Sequence, residues 1–160
     1  MALIILAFAI IGLMDLSEVS FRALDGMMTV QIDQLDSAVS TSNAFLKYRS
    51  SLITYVENHP TVSGTVALGL LGLSPGEITS LSGADNTVIR NGSTVTVEAW
   101  SPMSSSEIAK TVTAAQGDLS IGAAAGSSWS SPLLGSMGSL PVPVDQGNIV
   151  TLVTLAGSIY

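Results

Sequence analysis

The side chains best suited to chemistry are few in this 160-residue chain, and they lie far apart in sequence. His59 is the only histidine and there is no cysteine, so neither a second imidazole nor a thiolate is available to complete a zinc site. A serine nucleophile would need a Gly-x-Ser-x-Gly elbow and a histidine base. The segment Gly135-Ser-Met-Gly138 lacks that spacing and is remote from His59 in sequence. We therefore expect His59 to cap a helix end or to pack there, and we predict that the chain is not an enzyme.

Pairs of acidic residues are the other candidates for chemistry. Asp33 and Asp36 lie one turn apart in a segment of helical periodicity, where two carboxylates could act together. A solvated helix face is the better explanation. Asp15, Glu18 and Arg22 are spaced by three and four residues, the separations at which helical side chains form ion pairs. The sequence predicts no catalytic residue, no metal site and no cofactor.

Composition limits the classes of function further. The chain is 47% apolar and 11% charged, against roughly 25% charged residues in an ordinary soluble domain. Such a chain is expected to hide surface in lipid, in partners or in an assembly. Twelve acidic residues against five basic ones give a net charge of −7. The basic residues are scattered, whereas binding to nucleic acid depends on clustered Lys and Arg, so we expect no nucleic-acid partner.

Residues 1–14 form an apolar run without charge. As a helix the run would be about 21 Å long, short of the ~30 Å hydrocarbon core, and it approaches spanning length only if it continues through Leu16 and Val19. We predict an uncleaved membrane anchor over residues 1–24. Its lipid-facing side chains would be Leu3, Ile4, Ile5, Leu6, Phe8, Ile10, Ile11 and Leu13.

Other interpretations of this run stay open. A cleaved signal peptide should carry a basic n-region and a small-x-small cleavage site, but no basic residue precedes Arg22. A prepilin leader would place a short basic stretch and a glycine before the apolar run, and that pattern is missing. A helix buried in a soluble core also fits a run of this length. The orientation in a membrane is weakly specified, because this end has almost no basic residues.

Residues 25–58 show the three-and-four spacing of an amphipathic helix. Asn58-His-Pro60 ends it, because proline disfavours helix in the residue before it. No proline precedes residue 60, so the anchor and this helix together predict a long N-terminal helix, hinged at Gly26. We expect its apolar stripe to pack against the rest of the chain, a partner or both. The stripe includes Leu35, Val39, Leu46, Ile53 and Val56.

Residues 59–160 are predicted to form a small α+β head with an antiparallel sheet. A long helix followed by such a head resembles a pilin in outline. The strongest signal is a hairpin over Thr87–Trp100, with Asn91-Gly92 at the centre of a type I′ turn. Ser104 and Glu107 form a capping box before a helix over residues 106–116. Residues 117–138 are rich in Gly, Ser and Ala and indicate a loop with one short strand at 119–123. The chain then runs extended over 140–144, turns at 145–148 and ends in a strand over 149–155.

Several short segments are distinctive in combination: Tyr48-Arg49, Tyr55-Val56, Asn58-His-Pro60, Ser63-Gly-Thr-Val66, Ser74-Pro-Gly76 and Gly138-Ser-Leu-Pro-Val-Pro143. Together with the apolar start and the amphipathic helix, they resemble a known family, the PilM-type thin-pilus biogenesis proteins of conjugative plasmids and related bacterial type IVb pilus clusters. The resemblance extends over most of the chain.

The resemblance implies an inner-membrane protein with a periplasmic head, acting without catalysis in the basal body of a type IVb pilus or in its pilin export apparatus. It supplies no catalytic residues. Its implied partners are other pilus-assembly proteins, pilins and the inner membrane, and assembly with further copies of the chain is compatible with it. A minor pilin or pseudopilin-like subunit of the filament is the alternative, and a serine hydrolase acting on the cell wall is a third hypothesis.

Overall fold

The computed structural model describes residues 41–156. The first helix, α1, is helical from residue 41, where the described part begins, to residue 58. Further helical segments are a 3₁₀ turn at Leu68–Leu70, α2 at Pro75–Ser80 and α3 at Ser105–Ala114. The strands are β1 Asp85–Asn91, β2 Thr94–Pro102, β3 Ile121–Ala124, β4 Gly126–Ser131, β5 Gly135–Val144 and β6 Asn148–Ala156.

The six strands form one antiparallel sheet in the order β1-β2-β6-β3-β4-β5. At its centre β2 and β6 pair along their whole length, from Thr94 opposite Ala156 to Pro102 opposite Asn148. The expected α+β class and antiparallel sheet are confirmed. The expectation that residues 149–155 form a strand of this sheet is confirmed as well, since β6 lies between β2 and β3.

The hairpin between β1 and β2 is present, but its turn differs from the expected one. Asn91 pairs with Thr94, so the two central residues are Gly92 and Ser93. Gly92 has φ +61°. Ser93 does not have a positive φ, because Gln116 is the one non-glycine residue with positive φ in the described part. A positive φ at the first central position alone belongs to a type II′ turn. The type I′ turn centred on Asn91-Gly92 was therefore wrong by one residue.

One face of the sheet is covered by helices. α1 places Phe45, Tyr48, Leu52 and Val56 at four-residue or three-residue intervals, each at most 1% exposed, against the sheet. Their strand partners in this core are Val95, Val97, Ala99, Ile121 and Ile149, with Ile108 and Val112 from α3. This apolar packing anchors α1 to the sheet.

The opposite face is covered by the sheet itself. Although β5 is last in the strand order, it also contacts β2 and β6, so the sheet curls over. A bulge in β5 permits the curl. Gly126 of β4 pairs with Val144 of β5, and Ser128 pairs with Ser139, so two steps along β4 correspond to five steps along β5. The apolar core enclosed here comprises Ala124, Trp129, Leu140, Val144 and Val150. Gly122 lies under Trp129, at a position where a Cβ would overlap the Ser130 carbonyl.

Both short helices begin with a capping box. Ser104 Oγ accepts from the Glu107 N–H and the Glu107 carboxylate accepts from the Ser104 N–H, which confirms the expected start of α3. Ser74 and Glu77 make the same reciprocal pair at α2, with Pro75 in the first turn. The helix α2 was not expected from the sequence, although Ser-Pro-x-Glu is a recognisable start signal.

The Gly- and Ser-rich stretch holds more strand than was expected. Residues 117–138 include β3, β4 and the start of β5, so the interpretation as a loop with one short strand was wrong. The short strand itself exists, at Ile121–Ala124. Small residues are tolerated here because Trp129 and β5 supply the bulk over this part of the sheet.

Of the predicted long N-terminal helix, the structure describes residues 41–58, and these are helical. The anchor residues Leu3, Ile4, Ile5, Leu6, Phe8, Ile10, Ile11 and Leu13, the hinge at Gly26 and the boundary at residue 24 lie outside the described residues. Within residues 41–156, none of the helices has both the length and the hydropathy needed to cross a bilayer.

Candidate functional site

The placement of α1 on the sheet is set by a polar clamp as well as by the core. Arg49 Nε donates to Thr151 Oγ1 of β6 at 3.0 Å, and its Nη2 donates to Ser120 Oγ at 2.7 Å. The same Nη2 lies 2.8 Å from Asp118 Oδ2. Burial alone would raise the pKa of Asp118, but hydrogen bonds from Ser120 and the Arg49 charge lower it overall. The guanidinium thus ties the helix to the centre of the sheet and to the turn before β3.

A second ion pair holds α1 to α2. Lys47 Nζ lies 2.8 Å from Glu77 Oε1 and 3.0 Å from Oε2. The hydrogen bond from Lys47, with those from Ser74, lowers the pKa of Glu77 to about 2. Glu77 therefore caps α2 and at the same time accepts hydrogen bonds from Lys47 of α1, so one carboxylate positions both helices.

A buried amide fixes the segment that follows α1. Asn86 of β1 is 1% exposed. Its Oδ1 accepts from the Val66 N–H, and its Nδ2 donates to the Val66 carbonyl and to Tyr48 Oη, all within 2.9 Å. The Asn86 side chain thereby makes the two hydrogen bonds to the Val66 backbone that a neighbouring strand would make. Burial raises the pKa of Tyr48, so its hydroxyl keeps its proton while the oxygen accepts this bond.

These contacts cover the β1 edge of the sheet. Gly64 and Val88 exchange both backbone hydrogen bonds, at 2.8 and 2.9 Å. Two residues further along β1, Arg90 Nε donates to the Val62 carbonyl at 2.6 Å. Together with the Asn86–Val66 pair, these bonds hold residues 62–66 along β1. An exposed strand edge is a template for adding another strand, and this edge is occupied by the chain itself.

The β5 edge is blocked in a different way. Pro141 and Pro143 have no N–H to offer an incoming strand. The N–H of Val142, between them, donates to Glu98 Oε2 at 3.0 Å. Glu98 is fully buried on β2, and burial raises the pKa of its carboxyl group, which the bond from Val142 offsets only in part. Over residues 141–143, β5 therefore offers no free backbone N–H to an incoming strand.

Within residues 41–156, the turn between β4 and β5 presents two neighbouring exposed leucines, Leu133 and Leu134, here called the leucine tip. Their exposed fractions are 60% and 61%. The Leu133 side chain lies over Gly117, where a Cβ would come within 3.0 Å of its Cδ1. Leu119, two residues beyond Gly117, is 47% exposed. The tip is therefore an apolar patch that the fold presents to solvent.

A groove lies between the C-terminal half of α1 and the 3₁₀ turn. Its volume is about 370 Å³, within the ~300–1,000 Å³ range of small-molecule sites. The His59 ring stacks on Tyr55 with centroids 4.0 Å apart and planes at 18°. His59 Nδ1 lies 2.8 Å from the Tyr55 carbonyl. The groove is lined by Ser50, Ser51, Thr54, Tyr55, Asn58, His59, Leu70, Leu71 and Gly72.

The described residues of the predicted partner-facing stripe differ in burial. Val56 is fully buried in the core, and Leu46 is half-buried against it. Ile53 is half-buried, while Leu35 and Val39 lie outside the described residues. The role of the stripe in contacting a partner stays a prediction. His59 packs and hydrogen-bonds at the helix end, as expected.

The leucine tip was missed by sequence reasoning, although a signal for it exists. None of residues 119–144 is charged, and Pro132-Leu-Leu-Gly135 lies within this stretch. An adjacent leucine pair between proline and glycine predicts a turn with exposed apolar side chains. Among residues 41–156, no group of three or more His, Asp or Glu side chains is placed to hold a metal ion.

Comparisons with known proteins identify a family by sequence and a shared fold by structure. The family model described as PilM matches residues 14–152. The crystal structure of a protein named PilM from Escherichia coli B7A superposes with a TM-score of 0.54 at 12% sequence identity, covering 75% of this chain and 94% of that one. At this identity the superposition shows a shared fold. No curated protein matches the chain in sequence.

Proposed function

The chain belongs to the PilM family of pilus-related proteins, and we propose that it is a non-catalytic, inner-membrane-anchored component of a type IVb pilus assembly or basal-body apparatus. Residues 1–24 supply the anchor in this proposal, and the head lies in the periplasm. The head contributes contact surface rather than chemistry.

The leucine tip is the observation that carries the proposed contact role. Two neighbouring leucines, each about 60% exposed, lie in a stretch without charge, residues 119–144. Burying a leucine side chain contributes roughly 2 kcal/mol, so the pair is a substantial anchor for a partner. An uncharged, apolar surface suits a pilus-assembly protein that offers an apolar pocket, and it is poorly suited to a polyanion.

The two sheet edges support the same conclusion. Residues 62–66 occupy the β1 edge, and the Pro-Val-Pro triplet blocks part of the β5 edge. Assembly by adding a strand to these parts of the sheet would require breaking those contacts. Side-chain docking at the leucine tip leaves the fold unchanged, so it is the route we propose.

Replacing both leucines with serine tests the contact. In cells that assemble the pilus, Leu133→Ser combined with Leu134→Ser should abolish or strongly reduce piliation while the protein accumulates normally. The double variant to methionine keeps the apolar surface, and it should support piliation. Normal piliation by the serine variant would contradict the proposal.

The alternative is a minor pilin incorporated in the filament. The superposition on a second PilM protein concerns the fold alone and does not separate the two roles. Purified, mechanically sheared pili distinguish them, because a filament subunit is recovered with the pili and a membrane-held assembly component stays with the cells.

A further inference from the structure

The groove beside α1 is lined with polar groups that the protein itself leaves unused. Within the described part of the chain, the hydroxyls of Ser50, Ser51 and Thr54 and the amide of Asn58 have no hydrogen-bond partner. All four residues lie on the exposed side of α1. Each can both donate and accept a hydrogen bond.

Other helical hydroxyls in this protein behave differently. Thr79 and Ser80 of α2 donate to the carbonyls four residues earlier, at 2.9 and 3.0 Å. Thr111 and Thr113 of α3 do the same, at 2.8 and 2.9 Å. Such back-bonding is the usual local partner for serine and threonine in a helix. The hydroxyls along the groove are therefore available to a ligand.

The stacked Tyr55–His59 pair adds a ring face and a hydrogen-bond acceptor to the groove. A carbonyl oxygen can only accept, so the 2.8 Å contact with the Tyr55 carbonyl requires the hydrogen of His59 to be on Nδ1. In the neutral imidazole Nε2 is then an acceptor. The outer face of this exposed ring is supported from behind by Tyr55. Ring faces of this kind pack against the C–H face of a pyranose.

The lining also argues against other ligand classes. None of the nine lining residues is Asp, Glu, Lys or Arg, so the groove offers no fixed counter-charge to a phosphate or a charged peptide. Leu70 and Leu71 are its only aliphatic side chains, and Leu71 is buried. An apolar helix would need a longer apolar stripe.

We propose that this groove binds a neutral saccharide chain, with a sugar ring against His59 and the sugar hydroxyls on Ser50, Ser51, Thr54 and Asn58. The site is separate from the leucine tip, so the proposal does not depend on the contact proposed there.

Backbone amide shifts of the isotope-labelled full-length chain test the proposal, with N-acetylchitotetraose and maltotetraose as probes. At least one sugar should shift the amides of residues 50–59 and 70–72 in a saturable manner. A response to N-acetylchitotetraose alone identifies an acetamido sugar as the ligand. A response to both identifies a general neutral saccharide site.

Variants of the lining make the test specific. Thr54→Ala should weaken binding about fivefold, the loss of one ordinary hydrogen bond. His59→Phe keeps the ring face and loses the acceptor, so it should bind more tightly than His59→Ala. Thr113→Ala removes a helical hydroxyl that bonds to Ala109 and should leave affinity unchanged.

Two results would overturn the proposal. One is the absence of shifts at these amides with both sugars. The other is a response to purified pilin with no response to either sugar, which would assign the groove to a protein partner.

Discussion

Glu98 Oε2 accepts a hydrogen bond from the backbone N–H of Val142, across 3.0 Å between the middle of β2 and the bulge of β5. Glu98 Oε1 is buried without a partner in the described part of the chain. A buried carboxylate with one oxygen unsatisfied is costly. The bond keeps β5 folded over the core that contains Trp129 and Val150.

Replacing Glu98 with glutamine should stabilise the protein at neutral pH. Burial raises the pKa of Glu98 above its ordinary 4.5, so the folded state binds the proton more tightly than the unfolded state. The resulting stability is fully present below pH 4.5 and is lost as pH rises through the folded pKa. Glu98→Gln stays neutral and its amide oxygen can still accept from Val142. Urea unfolding should give a larger free energy of unfolding for the variant at pH 7 and a smaller difference at pH 4.

Two further variants control this comparison. Asp145→Asn makes the same acid-to-amide change at an exposed position and should change stability little. Glu98→Ala leaves the Val142 N–H unpaired and should cost about 1–3 kcal/mol. A glutamine variant less stable than the wild type at pH 7 would show that the charged form is favoured in the fold.

Asn86→Ala should destabilise the protein by about 3 kcal/mol, because it leaves the Val66 N–H, the Val66 carbonyl and Tyr48 Oη without their partner. Tyr48→Phe removes one of these bonds and should cost about 1 kcal/mol. Chemical denaturation measures both. Asn91→Ala, at an exposed position on the same strand, is the control. Equal losses for Asn86→Ala and Asn91→Ala would refute the role given to the buried amide.

Gly122→Ala should destabilise the protein by about 2 kcal/mol or more, because the added Cβ would overlap the Ser130 carbonyl and the Trp129 ring. Gly76→Ala is the matched control: its Cβ meets nothing within 4 Å, and it lies inside α2, where alanine is the better helix former. It should be neutral or stabilising. Thermal unfolding of the two variants gives the comparison, and similar melting temperatures would contradict the close packing described at Gly122.

Arg49→Met should raise the pKa of Asp118 toward its ordinary 3.8. Burial raises that pKa, but the Ser120 hydrogen bonds and the Arg49 charge lower it overall. A lowered pKa contributes stability above pH 3.8 that is lost as pH falls through the folded pKa. Loss of the partly exposed ion pair should cost about 1 kcal/mol at pH 6. Carboxyl NMR titration reports the pKa, with Lys110→Met on α3 as the control. An Asp118 titration that is the same in both variants would rule out the clamp.

The sequence was most informative where local patterns decide the structure. The capping box at Ser104 and Glu107, the β1–β2 hairpin and the terminal strand β6 each depend on a few adjacent residues, and each was predicted. The hairpin turn was off by one residue, because Asn-Gly suits a type I′ turn while pairing of Asn91 with Thr94 places Gly92 first.

Features that depend on distant residues were not accessible in the same way. β4 is otherwise made of Gly and Ser because its single large side chain, Trp129, and residues of the curled β5 fill the core on this face. Tyr48 was absent from the predicted stripe of α1, although it lies three residues after Phe45 and four before Leu52. What the sequence does not reveal is the partner of its hydroxyl, Asn86, which lies 38 residues later. The groove is likewise a product of the tertiary fold, because it lies between α1 and the 3₁₀ turn.

The location of the full-length protein in piliated cells tests the proposed function most directly. Quantitative immunodetection compares carbonate-washed inner membranes with purified, sheared pili. The proposal predicts that nearly all of the protein stays in the washed membranes and that the pili contain almost none. Release of the full-length protein by carbonate, or its recovery in the sheared pili, would contradict the proposal.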